Sequence, residues 1–125
     1  VREGEKSHLI GYATDLGTIT PAVEAGLCGC ESVVLECNHD EEMLMEGPYP
    51  YDLKLRIASP KGHLSNRDCA TFATRLATNG MKRLLLAHLS EINNLPDLAL
   101  AEVRSALADT GVRVEVAAPD HITEL

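Results

Sequence analysis

An α/β fold built on one sheet is what this sequence predicts, and three features predict it. Short apolar runs bounded by turn residues alternate with stretches of helical period. The helical stretches carry their own start and stop signals. Three of the apolar runs also finish alike, with acidic or imidazole side chains at their C-terminal ends.

The run HLIGYATD, residues 8–15, reads as a first strand that ends at Thr14-Asp15, before the turn residue Gly17. Thr20-Pro21 then opens a short helix, with Thr20 as N-cap and Pro21 at the first helical position, and Gly26 marks its end. SVVLE, residues 32–36, is a second strand, apolar enough to be buried on both faces. Asp40-Glu41-Glu42 places acidic groups in the first turn of a short helix that stops at Gly47-Pro48. YDLKLRIAS continues as helix, with Leu53 and Ile57 on one side. Ser65 or Asn66 caps the next helix, in which Cys69, Phe72, Ala73 and Leu76 follow i, i+3, i+4, i+7 spacing. Asn79-Gly80 closes it. KRLLLAHL is a third strand with a polar end at His88. LPDLALAEVRSALADTG has the plainest helical period, with Leu100, Val103 and Leu107 inward and Gly111 as stop. VRVEVA alternates, which places it at a sheet edge. No repeat, linker or low-complexity segment interrupts residues 1–125, so they form one unit.

Composition narrows the function classes. At 45% apolar and 24% charged residues the chain is an ordinary globular sequence. No apolar run approaches the roughly 20 residues that cross a bilayer. The first residues, VREGEKSH, lack the apolar stretch of a signal peptide, which predicts a cytoplasmic location. A net charge of −8 argues against gripping nucleic acid by phosphate neutralisation alone. It leaves room for a phosphodiester substrate, because bound divalent metal reverses the local sign. Cys28-Gly29-Cys30 resembles half a metal knuckle, but no second pair follows at zinc-finger spacing. The four cysteines, 28, 30, 37 and 69, read instead as small buried thiols in a reducing compartment.

The strand ends carry the chemistry. Asp15 follows GYAT, Glu36 and His39 follow VVL, and His88 follows LLLA, while His63 stands in KGHLSN just before a helix. Singly, each has an ordinary reading: Asp15 as a turn or cap aspartate, Glu36 as an exposed strand terminus, His63 as a loop histidine, His88 as structural. The whole stretch ECNHD could simply be a strand reaching solvent and capping the next helix. Repetition at three strand ends shifts the weight. If these strands are parallel and adjacent, their polar ends converge on one rim, where α/β proteins hold ligands. An aspartate and several histidines there suit zinc, or manganese if carboxylates dominate.

The same residues carry a resemblance. ATDLG, LECNHDEEMLMEGPYPYDLKLRIASPKGHLSN and LAHLSEINNLPDLA are similar to successive motifs of metallo-β-lactamase-fold hydrolases of the WalJ/YycJ type, over about Gly11 to Ala118. The resemblance implies an αββα sandwich with two divalent ions, Zn2+ or Mn2+, at one edge of its two sheets. Asp15 matches an aspartate that bridges both ions, and His88, in Ala-His-x-Ser, matches a metal ligand. His63 matches a histidine that protonates the leaving oxygen, and Glu36 an acid that orients it. His39, with Asp40, lies in the family's Asn-His-Asp element and is carried as a further catalytic candidate. The implied reaction is hydrolysis of a DNA phosphodiester by metal-bound hydroxide, as in an exonuclease.

One departure is large. The family's His-x-His-x-Asp-His signature is absent, and no two histidines stand two positions apart. The expectation is therefore one sheet with flanking helices, the C-terminal half of the sandwich. It would pair with its N-terminal half or a second chain, and would be inactive alone. A hydrolase of another ester, lactone, lactam or RNA is the rival enzyme reading, since one fold hosts many reactions. A non-catalytic half-domain is the rival from outside enzymes.

Overall fold

The computed structural model describes residues 10–14 and 17–117. Asp15, the expected bridging ligand, lies outside them. The elements in chain order are β1 (Ile10–Ala13), α1 (Pro21–Leu27), β2 (Ser32–Glu36), α2 (Glu41–Glu46), α3 (Tyr51–Ala58), α4 (Asn66–Ala77), β3 (Arg83–Ala87), α5 (Pro96–Ala106) and β4 (Arg113–Val116). The four strands form one parallel sheet in the order β1-β2-β3-β4, with β4 at the edge its alternation predicted.

Strand order dictates where the helices go. Crossovers between parallel strands are right-handed. When each strand pairs with the next in sequence, every crossover lands on the same face. Val33 and Leu35 of β2, Leu84 and Leu86 of β3, and Val114 of β4 accordingly share one core with Leu27, Phe72, Ala73, Leu76, Ala99, Val103 and Leu107. The registered row on the other face, Tyr12, Val34, Leu85 and Glu115, contributes nothing to that core. Tyr12 is 61% exposed and Leu85 half-buried, while Val34 between them is buried. One sheet with helices over one face is consistent with half of a sandwich, as the sequence suggested.

Local signals explain most boundaries. Thr20 accepts the Val23 N–H and Ser65 the Asp68 N–H, so both predicted caps form. Cys69, Phe72, Ala73 and Leu76 of α4 are all buried. Gly11 lets α1 settle against β1, since a Cβ there would stand 2.5 Å from Leu27 Cδ2. Cys30, Cys37 and Cys69 are buried thiols as expected, but Cys28 is exposed. Helix α3 departs further from expectation. It starts afresh at Tyr51 after Gly47-Pro48, and none of its residues is buried. Leu53 is exposed and Ile57 half-buried, so the stripe they form has no core to face. Among the described residues, no helix is long and apolar enough to cross a membrane.

Candidate active site

Strands β1, β2 and β3 are adjacent and parallel, so their C-terminal ends lie along one edge of the sheet. Glu36 is the last residue of β2 and pairs in register with Ala87, the last of β3. His88 follows directly, so sheet register alone brings Glu36 and His88 together. His63 arrives from the loop before α4. Its N–H donates to the Ile57 carbonyl at 2.9 Å, which ties it to the end of α3. Gly62 makes that close approach possible, because any Cβ there would run into the carbonyls of Arg56 and Ile57.

The three side chains form one group. Glu36 is fully buried, while the side chains of His63 and His88 are 35% and 46% exposed. His63 Nδ1 stands 2.5 Å from Glu36 Oε2, and His88 Nδ1 stands 3.5 Å from Glu36 Oε1. The two rings lie 5.8 Å apart, centroid to centroid. A buried carboxylate is costly unless its oxygens find donors. Here one oxygen is hydrogen-bonded to His63 and the other faces His88 Nδ1, so burial is compensated and the His63 ring is held. The expected Glu36–His63 contact is present. Glu36 also faces His88, in keeping with the convergence of strand ends that the sequence suggested.

These residues could hold a metal ion, since one ligand atom from each lies within 4.8 Å of the others. The two carboxylate contacts differ in kind. Ligand atoms about 2.1 Å from one tetrahedral ion stand about 3.4 Å apart. The Glu36–His88 spacing of 3.5 Å matches that, whereas 2.5 Å between Glu36 and His63 is a short hydrogen bond. The donor set, one carboxylate and two imidazoles, is of the type zinc or manganese takes.

Strand β3 ends in an unusual turn. His88 has φ +63, the only positive value at a non-glycine among the described residues. An imidazole-bearing residue adopts this left-handed conformation uncommonly, and such strain concentrates at functional sites. Asn38 holds the turn from both sides. Its side-chain N–H donates to the His88 carbonyl at 2.8 Å, and its own carbonyl accepts the Ser90 N–H at 2.8 Å.

His39 stands apart from the group. It is 1% exposed, and burial lowers its pKa from the ordinary imidazole value. Its Nδ1 lies 3.2 Å from Asn38 Oδ1, and its backbone bridges Ser65. Asp40 caps α2, accepting the Met43 N–H at 3.0 Å. Of the polar run ECNHD, then, Glu36 faces the histidines and Asp40 serves the next helix.

Beneath the rim lies a buried amide network that the motifs did not indicate. Asn66 and Asn94 donate to each other's side-chain oxygens at 2.8 Å. Cys37 Sγ donates to Asn66 Oδ1 at 3.0 Å, and Asn94 donates to the Cys37 carbonyl. This ties the start of α4 and the loop before α5 to the residue after Glu36. The available signal was the pair Asn93-Asn94, two amides between Ile92 and Leu95. Replacing Asn66 by alanine removes both amide bonds to Asn94 and the acceptor of Cys37 Sγ, leaving Asn94 only its bonds to the Cys37 carbonyl and the Leu95 N–H. The expected loss is about 2–3 kcal/mol, read as a lowered denaturation midpoint with an unchanged slope.

No family model matches the chain. It is 38% identical to exodeoxyribonuclease YycJ of Bacillus anthracis over 92% of its own length. It is 37% identical to exodeoxyribonuclease WalJ of Streptococcus pneumoniae, strains D39 and R6, over 90% of its length. The chain spans 44% of the length of each of these curated relatives.

Proposed function

This chain is homologous to WalJ/YycJ-type proteins over about nine-tenths of its length, and on that premise we propose that it forms the C-terminal half of a metal-dependent DNA exonuclease. The observation that carries the proposal is the convergence of Glu36, His63 and His88 at the C-terminal edge of a parallel sheet. Relatives named exodeoxyribonucleases supply the substrate class.

Each residue then has a task. His63 donates its Nδ1 proton to the buried Glu36, which fixes the tautomer and leaves Nε2 to work on the substrate side. In the reaction Nε2 gives a proton to the departing oxygen, and the Glu36 carboxylate stabilises the imidazolium when the ring is recharged. His88 and Asp15 are the chain's ligands for the divalent metal, zinc or manganese, with two ions in the complete site. Bound there, such ions activate water and offset charge developing on the phosphoryl oxygens. His39 acts by positioning: its Nδ1–H holds Asn38, and Asn38 holds the His88 turn. The remaining ligands and the second sheet come from outside this chain.

The test is digestion of end-labelled linear DNA by the full-length protein beside a closed circular control. Progressive loss from the ends that a chelator stops is expected. Cutting of the circle, or full activity after metal is stripped, would contradict the proposal.

A further inference from the structure

Helix α3 presents polar, basic and aromatic groups outward beside the histidines, in a protein that is otherwise acidic. The chain carries −8 overall, yet residues 48–63 hold Lys54, Arg56 and Lys61 against one acid, Asp52. Three of eleven basic residues thus fall within eight positions. Two other arginines are neutralised: Arg67 lies 3.7 Å from Glu41, and Arg75 lies 3.1 Å from Glu24. Among the described residues, no carboxylate pairs with Arg56 or Lys61. Tyr51, at the start of α3, is 64% exposed, although tyrosine normally buries its ring. Helical spacing puts Tyr51, Leu55 and Arg56 on the outward side of α3, and Lys54 turns in to donate to the Met45 carbonyl.

The segment is also anchored to the site. Ser59 N–H and Oγ both bond the Arg56 carbonyl, Lys61 N–H donates to Ser59 Oγ, and His63 N–H reaches Ile57. Lys61 therefore stands two residues before the proposed proton donor on a hydrogen-bonded turn. The cleft lined by Asp40, Glu41, Glu42, Glu46 and Glu102 is the opposite case, closed to a polyanion by its charge.

We infer that the outward face of α3 and the following turn are the platform along which a single DNA strand runs to His63, its phosphates on Arg56 and Lys61 and a base stacked on Tyr51. Basic groups combined with an exposed aromatic ring are the chemistry that holds single strands without sequence preference. Helix α3 is about 12 Å long, enough to engage a few nucleotides. The inference rests on the nuclease reading for its choice of polyanion, and it is tested by binding rather than by cleavage.

The probe is a fluorescein-labelled single-stranded DNA of about 12 nucleotides, titrated by anisotropy into the full-length protein with chelator present. Arg56→Glu with Lys61→Glu is expected to weaken binding roughly tenfold and to flatten the log Kd against log salt slope by about 1.4. Tyr51→Ala is expected to weaken it roughly tenfold with the slope unchanged. Lys82→Glu, at the other end of the sheet, controls for net charge and should bind as wild type. If the double variant melts early, Arg56→Gln with Lys61→Gln replaces it, with the same direction expected. Binding of the double variant within about twofold of wild type, or an equal loss in Lys82→Glu, overturns the inference. So does a loss confined to an RNA oligomer of the same length. Wild-type protein that binds the strand and digests nothing would defeat the nuclease reading alone.

Discussion

Replacing His63 by alanine in the full-length protein is expected to lower DNA turnover by about 10²–10⁴-fold while its metal content stays unchanged. The two halves of that expectation come from the two ends of one ring. Nδ1 is taken by the buried Glu36 carboxylate at 2.5 Å, too close for an ion to lie between them. Nε2 is left clear of that carboxylate, and in the proposed reaction it is the atom that gives a proton to the departing oxygen. Substrate affinity should change little, because a proton delivered to the leaving oxygen acts in the transition state. Glu36→Gln should share much of the loss, since an amide can no longer stabilise the imidazolium. Elemental analysis beside single-turnover kinetics checks this. Metal and activity falling together would make His63 a ligand instead.

The second large effect concerns the chain by itself. Residues 1–125 alone are expected to hold no stoichiometric metal and to digest no DNA. His88 and Asp15 are the two ligands carried over from the family pattern, with Glu36 given in the proposal to His63, and catalytic zinc sites usually take three from protein. With two, the ion keeps most of its water and dissociates readily. The sheet adds a physical reason. Tyr12, 61% exposed, and the half-buried Leu85 lie on the face opposite the helical core, so the isolated chain should self-associate or be poorly soluble. Co-expression with a segment that supplies the remaining ligands and the second sheet should restore both metal and activity. Tight zinc and robust digestion by the lone chain would show that the site is made from other residues.

Much of the fold was legible because its signals are local. Thr20-Pro21 and Ser65 cap helices through side chains three positions from their targets, and α4 repeats its apolar residues at helical period. Helix α3 was harder for the opposite reason. It has no buried residue, so Leu53 and Ile57 suggested an inward stripe where no core lies. In the site, convergence of Glu36 and His88 follows from strand order, which alternation of strands and helices implies. The pairing of Glu36 with His63 does not follow from it: their positions are 27 apart and joined through a loop. Only the family resemblance suggested that contact. Nothing local announced the left-handed backbone of His88, since histidine has no rule that requires it. The Asn66–Asn94 pair was invisible too, because an amide's partner 28 positions away leaves no periodic trace. The bland reading of ECNHD held for Asp40 and failed for Glu36, whose carboxylate is buried rather than solvated.

The division of labour between the two exposed histidines is tested most directly by anomalous diffraction from crystals of the full-length protein loaded with zinc or manganese. The account predicts an ion bonded to a ring nitrogen of His88 at about 2.0–2.1 Å, with His63 still hydrogen-bonded to Glu36 and bound to no ion. An ion ligated by His63, or density that leaves His88 bare, would contradict it.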